Sequence, residues 1–211
     1  MKVIKAADFK QFADALGPGG LVSAKRFFPQ FEDSLVDVGE VAGSSVTRKD
    51  YGDGVYNRTV LTFTNRSQSM TDEAGVVAYG GSKVFDMPEG NIQIFGATAN
   101  LTVTKSGAGI NADFDGDFSV GTVTASNNAT LSSTEQNIIP TTATPQAVAG
   151  ATTAKGINIA AIAPLDGTAT PVDIYLNFLI DDADQDITGG GASSLLYSGT
   201  LTICWVNLGD K

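Results

Sequence analysis

Between Val172 and Ile180 every second residue is apolar. Val172, Ile174, Leu176, Phe178 and Ile180 share one phase, and Asp173, Tyr175, Asn177 and Leu179 share the other. Only an extended strand places residues i and i+2 on the same side. A helix of 3.6 residues per turn would scatter these five around its axis. The segment Tyr197–Leu208 repeats the device, with Tyr197, Leu201, Ile203 and Trp205 on one face and Thr200 and Thr202 on the other. Both runs predict strands with one face in a core and one in water.

Five further runs read as strands: Val55–Thr64, Gly75–Met87 with a break at Gly80-Gly81, Ile92–Thr104, Phe114–Ala125 interrupted by Gly116 and Gly121, and Ile157–Ala163. In Ile92–Thr104 the apolar phase is even at Ile92 and Ile94 but odd at Leu101 and Val103. A bulge or break near Gly96-Ala97 is therefore expected. Strands bounded by Gly, Asp, Asn and Pro turns, with no helical runs between them, predict an all-β fold: an antiparallel β-sandwich, jelly-roll-like. Residues 126–156 carry only Glu135 and Lys155 as charges and read as one long connection, mobile or pinned against a neighbouring subunit.

The beginning of the chain differs. Asp8 followed by Gln11 resembles a capping box, Phe9, Phe12, Ala13 and Leu16 fall on one helical face, and Gly17-Pro18-Gly19-Gly20 ends the run. A helix of barely two turns is unstable alone in water and needs a surface to dock on. Residues 21–54 read as extended or irregular. The expected organisation is an arm at 1–54 carrying one short helix, then a sandwich domain at 55–211.

Chemistry is bounded by absences. The chain has no histidine, which removes the Ser/His/Asp triad, the Cys/His pair, His-ligated metals and imidazole acid–base catalysis. The single cysteine, Cys204, cannot form an internal disulfide or a Cys-cluster zinc site, and reads as a packed strand thiol. No enzymatic function and no cofactor are expected. Residues 1–8 are too short and polar for the apolar region of a signal peptide, and no run approaches a membrane span, so a cytoplasmically made chain is expected. Four glycosylation sequons, at Asn57, Asn65, Asn100 and Asn128, read as coincidence in a Thr/Ser-rich chain.

Charge is divided unevenly. Residues 1–66 hold nine Lys/Arg against eight Asp/Glu, and residues 67–211 hold four against fifteen, giving +1 and −11 and summing to the −10 of the whole. An acidic body repels phosphates, so no nucleic acid is expected among the partners.

Two acidic motifs invite a calcium reading. Asp182, Asp184 and Asp186 alternate, but the following Ile187 and Ser193 break the EF-hand pattern of glycine and acid. Asp113, Asp115 and Asp117 form the second cluster around an Asp-Gly turn. Both read as solvated loop tips, with calcium as the alternative. Gly80-Gly81-Ser82-Lys83 lacks the Walker spacing. Trp205, Tyr197 and Phe178 read as core aromatics, with a sugar platform as the alternative.

Taken together, Asp113–Thr122, Val172–Asp186 with its acidic tip, and the ending Leu201–Lys211 resemble capsid decoration (cement) proteins of tailed bacteriophages, built on a jelly-roll-like sandwich. The resemblance covers roughly residues 55–211. It implies a homotrimer on the outer capsid surface that clamps adjacent major capsid protein subunits, with no membrane partner. Phe9, Phe12, Leu16, Lys25, Arg26, Arg48 and Lys49, in the near-neutral first part, are the candidate partner contacts. The competing expectation is a head fibre, tail or adhesion module that binds host glycans.

Overall fold

A computed structural model describes residues 40–209 except 42, 53–55, 74–76, 127–128, 182–185 and 189–192. Its strands are β1 Glu40–Val41, β2 Val46–Gly52, β3 Asn57–Ser69, β4 Thr71–Glu73, β5 Val77–Asp86, β6 Gly90–Lys105, β7 Gly116–Gly121, β8 Ile139–Thr144, β9 Ala151–Asn158, β10 Leu165–Gly167, β11 Asp173–Asp181 and β12 Ser194–Asn207. They form two antiparallel sheets. One, sheet A, runs β1-β5-β11-β7-β8 with β4 also on β5; the other, sheet B, runs β10-β6-β12-β3-β2 with β9 also on β6.

Within these sheets lies the order β5-β11-β7-β8 facing β3-β12-β6-β9. In sequence the chain passes β3 (B), β5 (A), β6 (B), β7 and β8 (A), β9 (B), β11 (A) and β12 (B). That alternation is the double Greek key of an eight-stranded jelly roll. The all-β sandwich expected from the sequence is what the chain forms.

Alternation places the core between the sheets. Ile174, Leu176, Phe178 and Ile180 of β11 face Leu195, Tyr197, Leu201, Ile203 and Trp205 of β12, all buried. Tyr197 joins the layers, its ring centroid 5.2 Å from Phe63 on its own sheet and 5.3 Å from Phe178 on the other. Its hydroxyl lies 3.0 Å from Ser82 Oγ on β5, so the polar tip is satisfied. Fully burying each of these large side chains contributes about 1.5–3 kcal/mol.

The expected irregularity in β6 is present. Cys204 pairs with Gly96 but Trp205 pairs with Ile94, leaving Phe95 as the extra residue of a bulge. Buried positions are even-numbered up to Ile94 and odd-numbered from Ala97 onward. A second bulge, beside Gly199 of β12, requires glycine: its φ is +136°, and a Cβ there would lie 2.1 Å from the Asn100 carbonyl.

Four expectations change. β2 is a sheet strand paired along its length with β3, so the sheet begins inside the stretch assigned to the arm. Residues 126–156 are not one connection, because β8 and most of β9 lie within them. The run expected at Ile157–Ala163 is displaced to Ala151–Asn158, where small residues alternate too faintly to stand out in the sequence. Gly80-Gly81 does not break β5, which stays paired with Phe178 and Asn177 through both glycines. The proposed helix, with Phe9, Phe12 and Leu16, lies outside the described residues, as do Lys25 and Arg26.

Candidate interaction surface on the open sheet

The outer faces of the two sheets are treated differently. On sheet A, Asn177 and Leu179 were expected in water, yet both are buried. The segment between β7 and β8 folds back over them. Asn177 Oδ1 accepts the Ala125 amide at 2.9 Å, and its Nδ2 donates to the carbonyls of Val123 at 2.9 Å and Glu135 at 2.8 Å. Glu135 is itself buried and accepts from the backbone N–H of Ser126 and Ser132 at 2.9 and 2.8 Å. Val77, Ala125, Leu131 and Leu179 make a small apolar cluster beneath this cover. Gly81 permits it, since a Cβ there would sit 2.1 Å from Asn177 Oδ1.

At the end of the same face, Lys83 Nζ lies 3.0 Å from Asp86 Oδ1 and 3.5 Å from Asp173 Oδ1, and the Tyr175 hydroxyl donates to Asp173 Oδ2 at 2.9 Å. Burial, then a hydrogen bond with Asp173, pushes the Asp86 carboxyl above its ordinary value. For Asp173 burial acts in the same upward sense. Hydrogen bonds from Asp86 and Tyr175, with the Lys83 charge, outweigh it and hold this carboxyl below the ordinary value.

Sheet B is open. Its register aligns three cross-strand rows on the outer face: Thr47, Thr62, Thr200, Asn100 and Lys155; then Lys49, Val60, Thr202, Thr98 and Ile157; then Tyr51, Arg58, Cys204 and the Phe95–Gly96 bulge. All are exposed or half-buried. These rows hold three cations and no carboxylate, in a chain whose formal charge is −10.

One end of the face is aromatic. Tyr56 is 64% exposed, Ile157 64% and Ile159 85%, and the Tyr56 and Phe95 rings lie 5.9 Å apart. Arg58 sits 4.3 Å over the Tyr51 ring, with Lys49 at 5.2 Å. Because the bulge turns Phe95 outward, it separates two shallow grooves. One, of about 260 Å³, runs along Ala97, Thr98, Asn158, Ile159 and Thr202; the other, of about 350 Å³, runs along Tyr51, Tyr56, Asn57 and Arg58. Cys204 borders both.

No protein-family model matches the chain, and neither the curated proteins nor the solved structures compared with it contain a match.

The predicted contact residues separate. Lys49 projects onto the open face, whereas the Arg48 guanidinium holds Asp50 Oδ2 at 2.8 Å. Asp50 in turn accepts from Thr59 Oγ1 at 2.8 Å, and Thr59 Oγ1 accepts the indole N–H of Trp205 at 3.1 Å. Arg48 thus closes the β2 edge of the core. Of the acidic run, Asp182 and Asp184 lie outside the described residues. Asp186 is buried and its Oδ2 accepts the Asp115 amide at 2.9 Å, so the fold brings the two acidic motifs together. Among the described residues no group of three or more His, Cys, Asp or Glu is placed to hold a metal ion.

Sequence reasoning missed Tyr51, Tyr56, Phe95, Ile157 and Ile159 as surface residues. Only Phe95 carried a signal, since it falls where the apolar phase of β6 switches.

Proposed function

We propose that this chain is a non-enzymatic virion structural protein, a capsid cement or decoration protein of a tailed bacteriophage. It is made in the host cytoplasm, assembles as a homotrimer and binds the outside of the assembled capsid across major capsid protein subunits. The observation that carries this reading is the contrast between the sheets. Among the described residues, 122–126 and 129–137 cover sheet A, whereas the threonine-rich central rows of sheet B, which hold no carboxylate, carry no such cover. A jelly roll does not name a function; the exposed Tyr56, Phe95, Ile157 and Ile159 at one end of the face support reading it as a contact surface.

Size supports a multimer. Five strands about 4.8 Å apart and rows spanning about 17 Å make a face of roughly 400 Å². That is near half of the ~800 Å² per partner usual in a specific interface, so more than one copy is needed, and a trimer presents about 1,200 Å². Binding only the assembled lattice then stabilises it by linkage.

Co-sedimentation with purified expanded capsids is the test. The full chain should bind capsids and not free capsid subunits. A T47E/T200E double variant, whose two positions are not direct cross-strand partners, should lose binding with only a small change in melting temperature. Removal of residues 1–20 should abolish attachment while the sandwich stays folded.

A second reading follows from the aromatic end. Exposed rings beside Asn57, Asn158, Thr98 and Thr202 suit the apolar face and hydroxyls of a sugar, as in a fibre, tail or adhesion module. Binding to host cells or glycans without any capsid would favour it over the first.

A further inference from the structure

The groove of about 350 Å³ beside Phe95 joins an aromatic corner to a pair of cations. Tyr56 and Phe95 make the corner, their ring centroids 5.9 Å apart and the planes tilted by 41°, and Tyr56 is 64% exposed. Such rings take the C–H side of a sugar, burying apolar area on one face and leaving the hydroxyls outward. The volume is at the small end for ligand sites and suits one part of a longer oligosaccharide.

Electrostatics decide what that sugar carries. The Arg58 guanidinium lies 4.3 Å from the centroid of the Tyr51 ring and the Lys49 ammonium 5.2 Å from it, so both charges converge on one ring of the groove wall. Among the described residues neither is in an ion pair, and no carboxylate lines the groove. This occurs in a chain whose formal charge is −10. Two like charges over one ring repel, and an anion beside them relieves the repulsion. Asn57 lines the same groove, and its buried Nδ2 has no acceptor among the described residues. A donor left in that state is unfavourable, and a turn of the amide about χ2 offers it to an oxygen in the groove.

The backbone favours a carboxylate over a phosphate. Asn57 and Arg58 of β3 pair with Trp205 and Cys204 on one side and with Gly52 and Tyr51 on the other. β3 therefore has no run of free N–H groups of the kind that cradles a phosphate. The planar fork of Arg58 matches a carboxylate with two parallel hydrogen bonds.

We infer that this groove binds an acidic sugar residue, its ring against Tyr56 and Phe95 and its carboxylate on Arg58 and Lys49. The assignment rests on the sugar-binding reading of the aromatic end and gives that reading its ligand class. It is tested with no capsid present.

Trp205 lines the groove and is the only tryptophan, and Cys204 beside it is the only thiol. The full chain is titrated with trimers of galacturonic, glucuronic and sialic acid, each alongside its methyl ester, while Trp205 fluorescence is followed. At least one acid trimer should bind about tenfold more tightly than its ester, the effect of one charge-assisted hydrogen bond. That advantage should shrink as salt is raised. The bound trimer should slow alkylation of Cys204 by iodoacetamide. The K49Q/R58Q variant should bind acid and ester alike with its melting temperature unchanged. Lys105→Gln, the same charge change at the opposite end of β6, should keep the preference. Equal binding of acids and esters by the parent chain would overturn the inference and leave the sugar reading in place. No binding by any trimer or ester would overturn both. Binding that leaves Cys204 alkylation unchanged would put the sugar elsewhere and sink the inference. Oligoglutamate binding as tightly as the best acid trimer would assign the groove to an acidic peptide instead.

Discussion

The side-chain amide of Asn177, on the central strand of sheet A, donates to the backbone carbonyl of Glu135 across 2.8 Å, 42 residues away in sequence. This bond and its two companions hold the covering segment on the sheet. Asn177→Leu matches the size but strands the Ala125 N–H and two carbonyls under cover. At about 1 kcal/mol for each net hydrogen bond, it should cost roughly 3 kcal/mol. Urea unfolding measures this. A loss below about 1 kcal/mol would mean that the segment is held by Leu131 and Ala125 instead.

Gly81 makes the same closure possible, so Gly81→Ala should be more harmful than an exposed glycine change. The added methyl collides with Asn177 Oδ1 and Thr124 Oγ1, at 2.1 and 2.7 Å. Overpacking of this kind costs about 1–3 kcal/mol. Hydrogen exchange should speed up across residues 122–126 and 129–137 while β12 remains protected.

Trp205 donates its indole N–H to Thr59, which donates to Asp50. Thr59→Val keeps the shape and leaves a buried indole donor unsatisfied, at a cost of about 1–3 kcal/mol. Thr59→Ser should retain most of the stability. Trp205 is the only tryptophan, so its fluorescence follows the change directly. Equal melting temperatures for the valine and serine variants would contradict the relay.

Asp86 and Asp173 pull the pH dependence in opposite directions. A carboxyl raised in the folded state, as at Asp86, contributes stability below its ordinary value and loses it as pH rises through the folded value. A carboxyl lowered in the folded state, as at Asp173, contributes stability above its ordinary value and loses it as pH falls through the folded value. Asp86→Asn removes the first contribution. The variant should therefore gain stability relative to the parent chain as pH rises from about 4 toward neutrality. Parallel melting-temperature profiles for the two proteins across that window would rule this account out.

Asp186 joins the segment after β11 to the loop before β7 through the Asp115 amide. Asp186→Ala should cost about 1.5–3 kcal/mol, the range for a hydrogen bond to a charged group. Chelator should leave the parent chain's melting temperature unchanged if the carboxylate serves only the backbone, and lower it if a cation shares the site.

The sequence by itself determined the architecture where one side chain in two had to be buried. β11 and β12 announce their inward residues through Ile174–Ile180 and Tyr197–Trp205, and the β6 bulge is written in the phase change between Ile94 and Leu101. Local periodicity carries that information because a strand's geometry repeats every two residues. Where side chains are small the signal fades: Ala151–Asn158 buries Thr152, Ala154 and Gly156 with little apolar contrast.

What only the tertiary structure decided is which face of each sheet meets water. Alternation can say that Asn177 lies opposite Phe178, but not that residues from 52 positions earlier return to cover it. Nor can it say that Tyr51, Phe95, Ile157 and Cys204 become neighbours, because their proximity is set by the register of five strands, most of them distant in sequence. Burial on a strand's second face depends on long-range contacts, and among the described residues those contacts cover sheet A and leave the outer face of sheet B exposed.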